Sequence, residues 1–307
     1  MNTPIPFQDH KRARLWGLLG DLPEPASPPR VKTRTEERNG QYRLERLTLD
    51  LNGIEDVQAQ VVLPLEGRGP FPWIVFNHSH GGYYDLGKRE LTDGVAYRFP
   101  TPMAVDLTRA GFAAISIDHW GFGARKGAGE HPLFLNMLWA GRVMWGMMVF
   151  DTVRVVDYLL TRADVDPSRI GTTGMSMGST MAWWHAALDT RVACCVDTCC
   201  LTEFASFQAH GGMHGAFYYV PSLLKHFTTA EINALIAPRP HLSLAGEKDP
   251  LTPVEGLDLV DAELKAVYRA LGAESKWVLK RYPVAHLETE EMRAETLKFL
   301  AAELQRR

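Results

Sequence analysis

One stretch limits the fold more than any other: RIGTTGMSMGSTMAWWHAAL, Arg169 to Leu188. An apolar strand (169–173) runs through Gly174-Met175-Ser176-Met177-Gly178 straight into a helix (180–188). Glycines two residues either side of Ser176 let neighbouring backbone pass without a Cβ clash. A turn this tight pushes the serine hydroxyl outward. It also aims the N–H of Met177 outward from a helix start, where the dipole favours negative charge. The sequence around this junction repeats the same alternation. Short apolar runs at 73–76 (WIVF), 112–117 (FAAISI), 192–200, 242–245 and 276–280 read as strands. They are interleaved with helical patterns at 102–110, up to 162, 180–188, 257–270 and 290–304. That order predicts an α/β fold with a mostly parallel sheet of about eight strands and helices on both faces. Residues 43–51 and 57–63 alternate apolar and polar side chains, which predicts an antiparallel pair at a sheet edge.

The 46% apolar content is enough for one large core, and a net charge of −3 comes without any block of like charge. Nothing in that balance favours nucleic acid or an anionic membrane surface as a partner. No run reaches the ~18 apolar residues of a membrane span; Val143 to Leu160 is broken by Gly146, Asp151, Arg154 and Asp157. The N-terminus lacks an apolar signal core, so a cytoplasmic location is expected. The four cysteines of VACCVDTCC read as buried free thiols on a strand, adjacent ones facing opposite ways. Residues 1–40 are expected to be an N-terminal helix (8–20) and a proline-rich connector, DLPEPASPPR. Residues 41–307 are expected to be a single domain, with cap-like segments near 119–140 and 201–235. The N-terminal segment could cover that domain or pack on a second copy, which leaves a homo-oligomer open.

An outward serine becomes a nucleophile when a base takes its proton and an acid orients the base. In a strand–elbow–helix fold these follow in the order serine, acid, histidine. His286, in RYPVAHLE, lies between the last strand and the last helix, on the sheet edge where the elbow opens. Asp249, in LAGEKDPLTP, follows the strand at 242–245. Asp197, at the end of the cysteine-bearing strand, is the rival acid. The stretch FNHSHGGYYD (76–85) has two readings. His78 and His80 could grip zinc with His119 or Asp85, or the segment could be a loop offering backbone N–H groups. Asp118 is expected to fix the loop that follows it.

The motifs NHSHGG, DHWGFGAR, GMSMGS, IAPRPHLSLAGEKDP and YPVAH together resemble the serine-dependent dienelactone-hydrolase and acetyl-xylan-esterase-like branch of the α/β-hydrolases. The resemblance spans residues 45 to 305. It implies a carboxylic ester hydrolase acting through an acyl-enzyme on short-chain, acetyl-type esters. Ser176, Asp249 and His286 would be the triad, with Met177 and His80 as backbone oxyanion donors. Gly81, Trp120, Met175, His214 and Tyr218 would line the pocket. No cofactor or metal is implied, and the partner is a small-molecule ester. Dienelactone hydrolase itself carries a cysteine where this chain has Ser176, which favours ordinary esters. The competing expectations are a serine peptidase or amidase of the same layout, a metal-dependent hydrolase using His78 and His80, and a ligand receptor without turnover.

Overall fold

The computed structural model describes residues 6–24 and 27–305. The middle of the proline-rich connector, residues 25–26, and the first five residues lie outside it. Nine strands form one sheet: β1 (Arg30–Arg38), β2 (Arg43–Asp50), β3 (Val57–Leu63), β4 (Phe71–Asn77), β5 (Ala113–Ile117), β6 (Val165–Met175), β7 (Cys194–Thr198), β8 (His241–Gly246) and β9 (Trp277–Tyr282). Their spatial order is β1-β2-β3-β5-β4-β6-β7-β8-β9. From β5 to β9 every neighbouring pair is parallel, and the β1-β2-β3-β5 side is antiparallel. The mostly parallel sheet predicted from strand–helix alternation is therefore present, one strand wider than expected.

The extra strand is β1. Its sequence, RVKTRTEER, is exposed at every position, so it carries no apolar period from which a strand can be read. Its ladder to β2 and ion pairs such as Arg34 to the buried Glu45 hold it in place. Strands β4, β5, β7 and β8 are buried along their whole length because both faces are covered. Helices 144–159, 177–188 and 254–270 bury Met147, Met181, Trp184, Val260 and Leu264 on one face. Helices 103–109 and 290–304 bury Leu107, Leu300 and Leu304 on the other. Adjacent cysteines split between the layers as period-two geometry requires, Cys194 into the second and Cys195 into the first. All four cysteines are free and buried.

Both segments expected to cap the sheet are more ordered than unstructured loops. Residues 119–140 contain a helix at Glu130–Trp139, and 201–235 carry helices at Phe204–Ala209 and Thr229–Asn233. Glu130 ties these regions together: it accepts from the Tyr84 hydroxyl and from the Ala216 N–H.

Candidate active site

The elbow begins where β6 ends. Ser176 has φ 59° and ψ −121°, a left-handed backbone conformation rare for a side chain other than glycine, and helix 177–188 starts at the next residue. Its N–H donates to Thr198 O at 3.0 Å, which pins the turn to β7. The flanking glycines are needed for close approach: a Cβ on Gly178 would overlap Asn77 O, and one on Gly174 would overlap Gly178 O. The end of β4 is thereby pressed against the elbow, with the Asn77 and His78 carbonyls against Gly178. The backbone N–H groups of Met177 and His80 have no hydrogen-bond partner among the described residues.

Asp249 and His286 come together from the loops after β8 and β9. His286 Nδ1 lies 2.7 Å from Asp249 Oδ2. Asp249 Oδ1 accepts from Leu251 N–H at 2.9 Å, and Thr252 Oγ1 donates to Oδ2 at 3.2 Å. The carboxylate is fully buried, while the imidazole is 21% exposed. The two loops are laced by backbone bonds from Glu247 to Tyr282 and from Lys248 to Val284. Among the described residues no hydrogen bond joins the Ser176 hydroxyl to His286, whose Nδ1 is held by Asp249; such catalytic bonds are often loose without substrate. Asp197 is committed elsewhere: His241 Nε2 lies 2.6 Å from its Oδ2, and Ser243 Oγ donates to its Oδ1 at 2.9 Å.

The two histidines of FNHSHGG do not form a metal pair. His78 Nδ1 lies 3.0 Å from Ser79 O, and its Nε2 accepts the His119 N–H at 3.2 Å, so both ring nitrogens are taken by backbone. Asp85 is paired with Lys126. His78, His80, His119 and Asp85 do not appear together among the described residues whose donor atoms lie close enough to share a metal. The His80 ring stands edge-on to Tyr84 and Phe122 and 5.5 Å from Phe217, in an aromatic box. Burial depresses its pKa below the ordinary histidine value. Asp118 does fix its loop: it accepts from Ala124 N–H at 3.0 Å and from Lys88 N–H at 2.9 Å. Two mixed groups have donor atoms close enough for a metal, Cys195-Asp197-His241 and Cys199-Asp249-His286. In both, burial pushes the thiol pKa up, which opposes the thiolate a metal needs.

Of the pocket residues expected, His214 and Tyr218 line a cleft of about 740 Å³ beneath residues 204–225. Trp120 and Met175 are buried, and Trp120 instead carries the Arg125 guanidinium 4.1 Å above its ring. Gly81 is exposed, and a Cβ there would overlap the Tyr97 ring, so its role is to let Tyr97 pack close.

Sequence reasoning missed the support behind the two loops. Ser79 donates through both N–H and hydroxyl to Glu90, and its hydroxyl also meets Tyr97. Arg98 joins Glu90 to Glu288 at 3.2 and 3.1 Å, and Arg293 donates to Glu288 at 2.7 Å. All four charged groups are buried. Glu288 is two residues past His286 and donates its N–H to Tyr97 O at 2.9 Å. One buried network thus braces the His80 loop and the His286 loop together. These charges belong to no motif, so no local signal marks them.

An elbow serine, a histidine–carboxylate pair on the next loops and a mostly parallel sheet define an α/β-hydrolase. A family model described as X-Pro dipeptidyl-peptidase (S15 family) matches residues 53–241, and the chain belongs to that family. It is 47% identical to the Bacillus subtilis protein named "Putative hydrolase YtaP" over 292 residues, 94% of this chain and 97% of that one. Among solved structures, a "putative acetyl xylan esterase" from Bacteroides fragilis superposes with a TM-score of 0.71 at 18% identity, covering 90% of this chain and 74% of that one. A glucuronoyl esterase from Solibacter usitatus gives 0.65 at 18% identity over 95% and 92% of the two chains. At these identities the structural likenesses speak for the fold.

Proposed function

We propose that the protein is a serine carboxylic-ester hydrolase working through an acyl-enzyme. The observation that carries this reading is the 2.7 Å His286–Asp249 pair on the sheet edge where strained Ser176 turns out of the elbow. In this mechanism His286 Nε2 takes the Ser176 proton as Oγ attacks the ester carbonyl. Asp249 holds Nδ1–H and stabilises the imidazolium. The unpartnered N–H groups of Met177 and His80 receive the oxyanion, each such donor lowering the barrier by roughly 2.7–4 kcal/mol. The tetrahedral adduct collapses, His286 protonates the departing alcohol, and a water deprotonated by His286 releases the acid. The chemistry as written needs no cofactor. Acetyl-type esters, implied by the family resemblance, are one member of this substrate class.

The matched family description favours a second reading, release of dipeptides. A free peptide amine is held most strongly by a carboxylate. The cleft beneath 204–225 has none among its lining residues, and Glu130 is bound to Tyr84 and Ala216. Ester hydrolysis is therefore preferred. The deciding assay compares wild type and Ser176→Ala, with a chelator present, on 4-nitrophenyl acetate and on an Xaa-Pro 4-nitroanilide. Turnover of the ester by wild type alone is the expected result. Chelator-sensitive activity, or anilide cleavage without ester cleavage, overturns the reading.

A further inference from the structure

The cleft beneath residues 204–225 is large and apolar. At about 740 Å³ it lies within the ~300–1,000 Å³ of small-molecule pockets. Phe204, Phe207, Val220 and Leu223 form its walls, and Lys225, exposed to solvent, is the single lysine, arginine or carboxylate among its lining residues. An acetyl group would leave most of it empty.

One wall of the cleft packs on the helix that starts at the elbow. Tyr218, on its wall, meets Thr180 Oγ1 at 2.8 Å, and the Thr180 N–H donates to Ser176 O one helical turn away. His214, also on the wall, is sandwiched with ring centroids 4.6 Å from Phe207 and 4.2 Å from Tyr218. Burial, with the neighbouring His286 and His80, holds its pKa down to about 4, so at neutral pH it adds an uncharged ring. At the mouth, Met213, Tyr219 and Leu224 are 81%, 47% and 48% exposed, a run of apolar surface on one wall.

We propose that this cleft binds an uncharged apolar group of the substrate, so that the preferred substrates are hydrophobic esters with a medium-length alkyl or an aryl group. The assignment rests on the ester-hydrolase reading above for the reaction, and on the cleft for the selectivity. Carboxylate-bearing or sugar-like groups would find too few polar partners here.

Binding and turnover separate the two parts. Ser176→Ala, titrated calorimetrically with 4-nitrophenyl acetate and 4-nitrophenyl hexanoate, reports the cleft without catalysis. The expected result is tighter binding of the hexanoate, by about fourfold per methylene that the cleft accepts. Adding Met213→Glu and Leu224→Glu, both at exposed positions, should collapse that preference. Equal affinities, or a preference unmoved by the two glutamates, overturn the proposal. In wild type, kcat/KM should rise from acetate to hexanoate. A maximum at acetate overturns the cleft assignment and leaves the ester hydrolase standing. Absence of turnover alongside an intact binding preference sinks the hydrolase reading and keeps the apolar site.

Discussion

At the scale of single residues, roles follow from which lone pairs and protons are already spoken for. Asp249 has its oxygens on His286 and its own loop, whereas Asp197 is bound to His241 and Ser243. Asp249→Asn should therefore lower kcat by about 10⁴-fold through the wrong imidazole tautomer. Asp197→Asn should lower the thermal midpoint instead, and steady-state rates with melting curves on both variants distinguish these. His80→Ala should retain kcat to within about tenfold, because the proposed donor is its backbone N–H; a loss of 10²–10³-fold, the size of a lost oxyanion donor, would assign the work to the ring. The elbow was legible in the sequence because glycine spacing is a local requirement. The commitment of His78 to the His119 N–H was not, since that partner comes from the loop after a different strand.

At the scale of elements, the strands with two covered faces announce themselves as apolar runs, and helix 290–304 has the limits its sequence predicts. Strand β1 does not, because tertiary pairing rather than burial makes it a strand. The network of Glu90, Arg98, Glu288 and Arg293 is likewise invisible in sequence, yet it joins two loops that flank the site. Burial pushes the Glu288 carboxyl up, but Arg98 and Arg293 outweigh that and hold it below the ordinary carboxylate range. Glu288→Ala removes one partner from each of two buried guanidinium groups, leaving Arg98 with Glu90 and Arg293 with Asp106, and should cost about 1–3 kcal/mol in denaturant unfolding. Because His286 is two residues away, kcat should fall as well. A variant as stable as wild type would show that the network contributes little.

At the scale of the whole molecule, the fold keeps several histidines neutral. Burial lowers His78, His80 and His119 below their free value of 6.5, and His214 to about 4. As pH falls below 6.5, the unfolded chain takes up protons that the folded chain refuses, so stability should decline with acidity. The His214 share is lost between about 6.5 and about 4 and is constant below. Thermal midpoints should drop from pH 7.5 to pH 4.5, with a shallower slope in His214→Gln; a flat profile would count against neutral buried rings. The shape of the cleft beneath 204–225 was the least legible feature, since its wall is an irregular segment whose course is set by contacts with Thr180, Glu130 and Trp145. The outer strand has a consequence of its own. An unpaired strand edge invites other chains to add to it, but β1 presents Arg30, Lys32, Arg34, Glu36, Glu37 and Arg38 in solvent. An incoming strand would have to strip water from those charges residue by residue, so the sheet carries its own terminator on that side, and crowded copies of the protein have no easy seam along β1 to zip together.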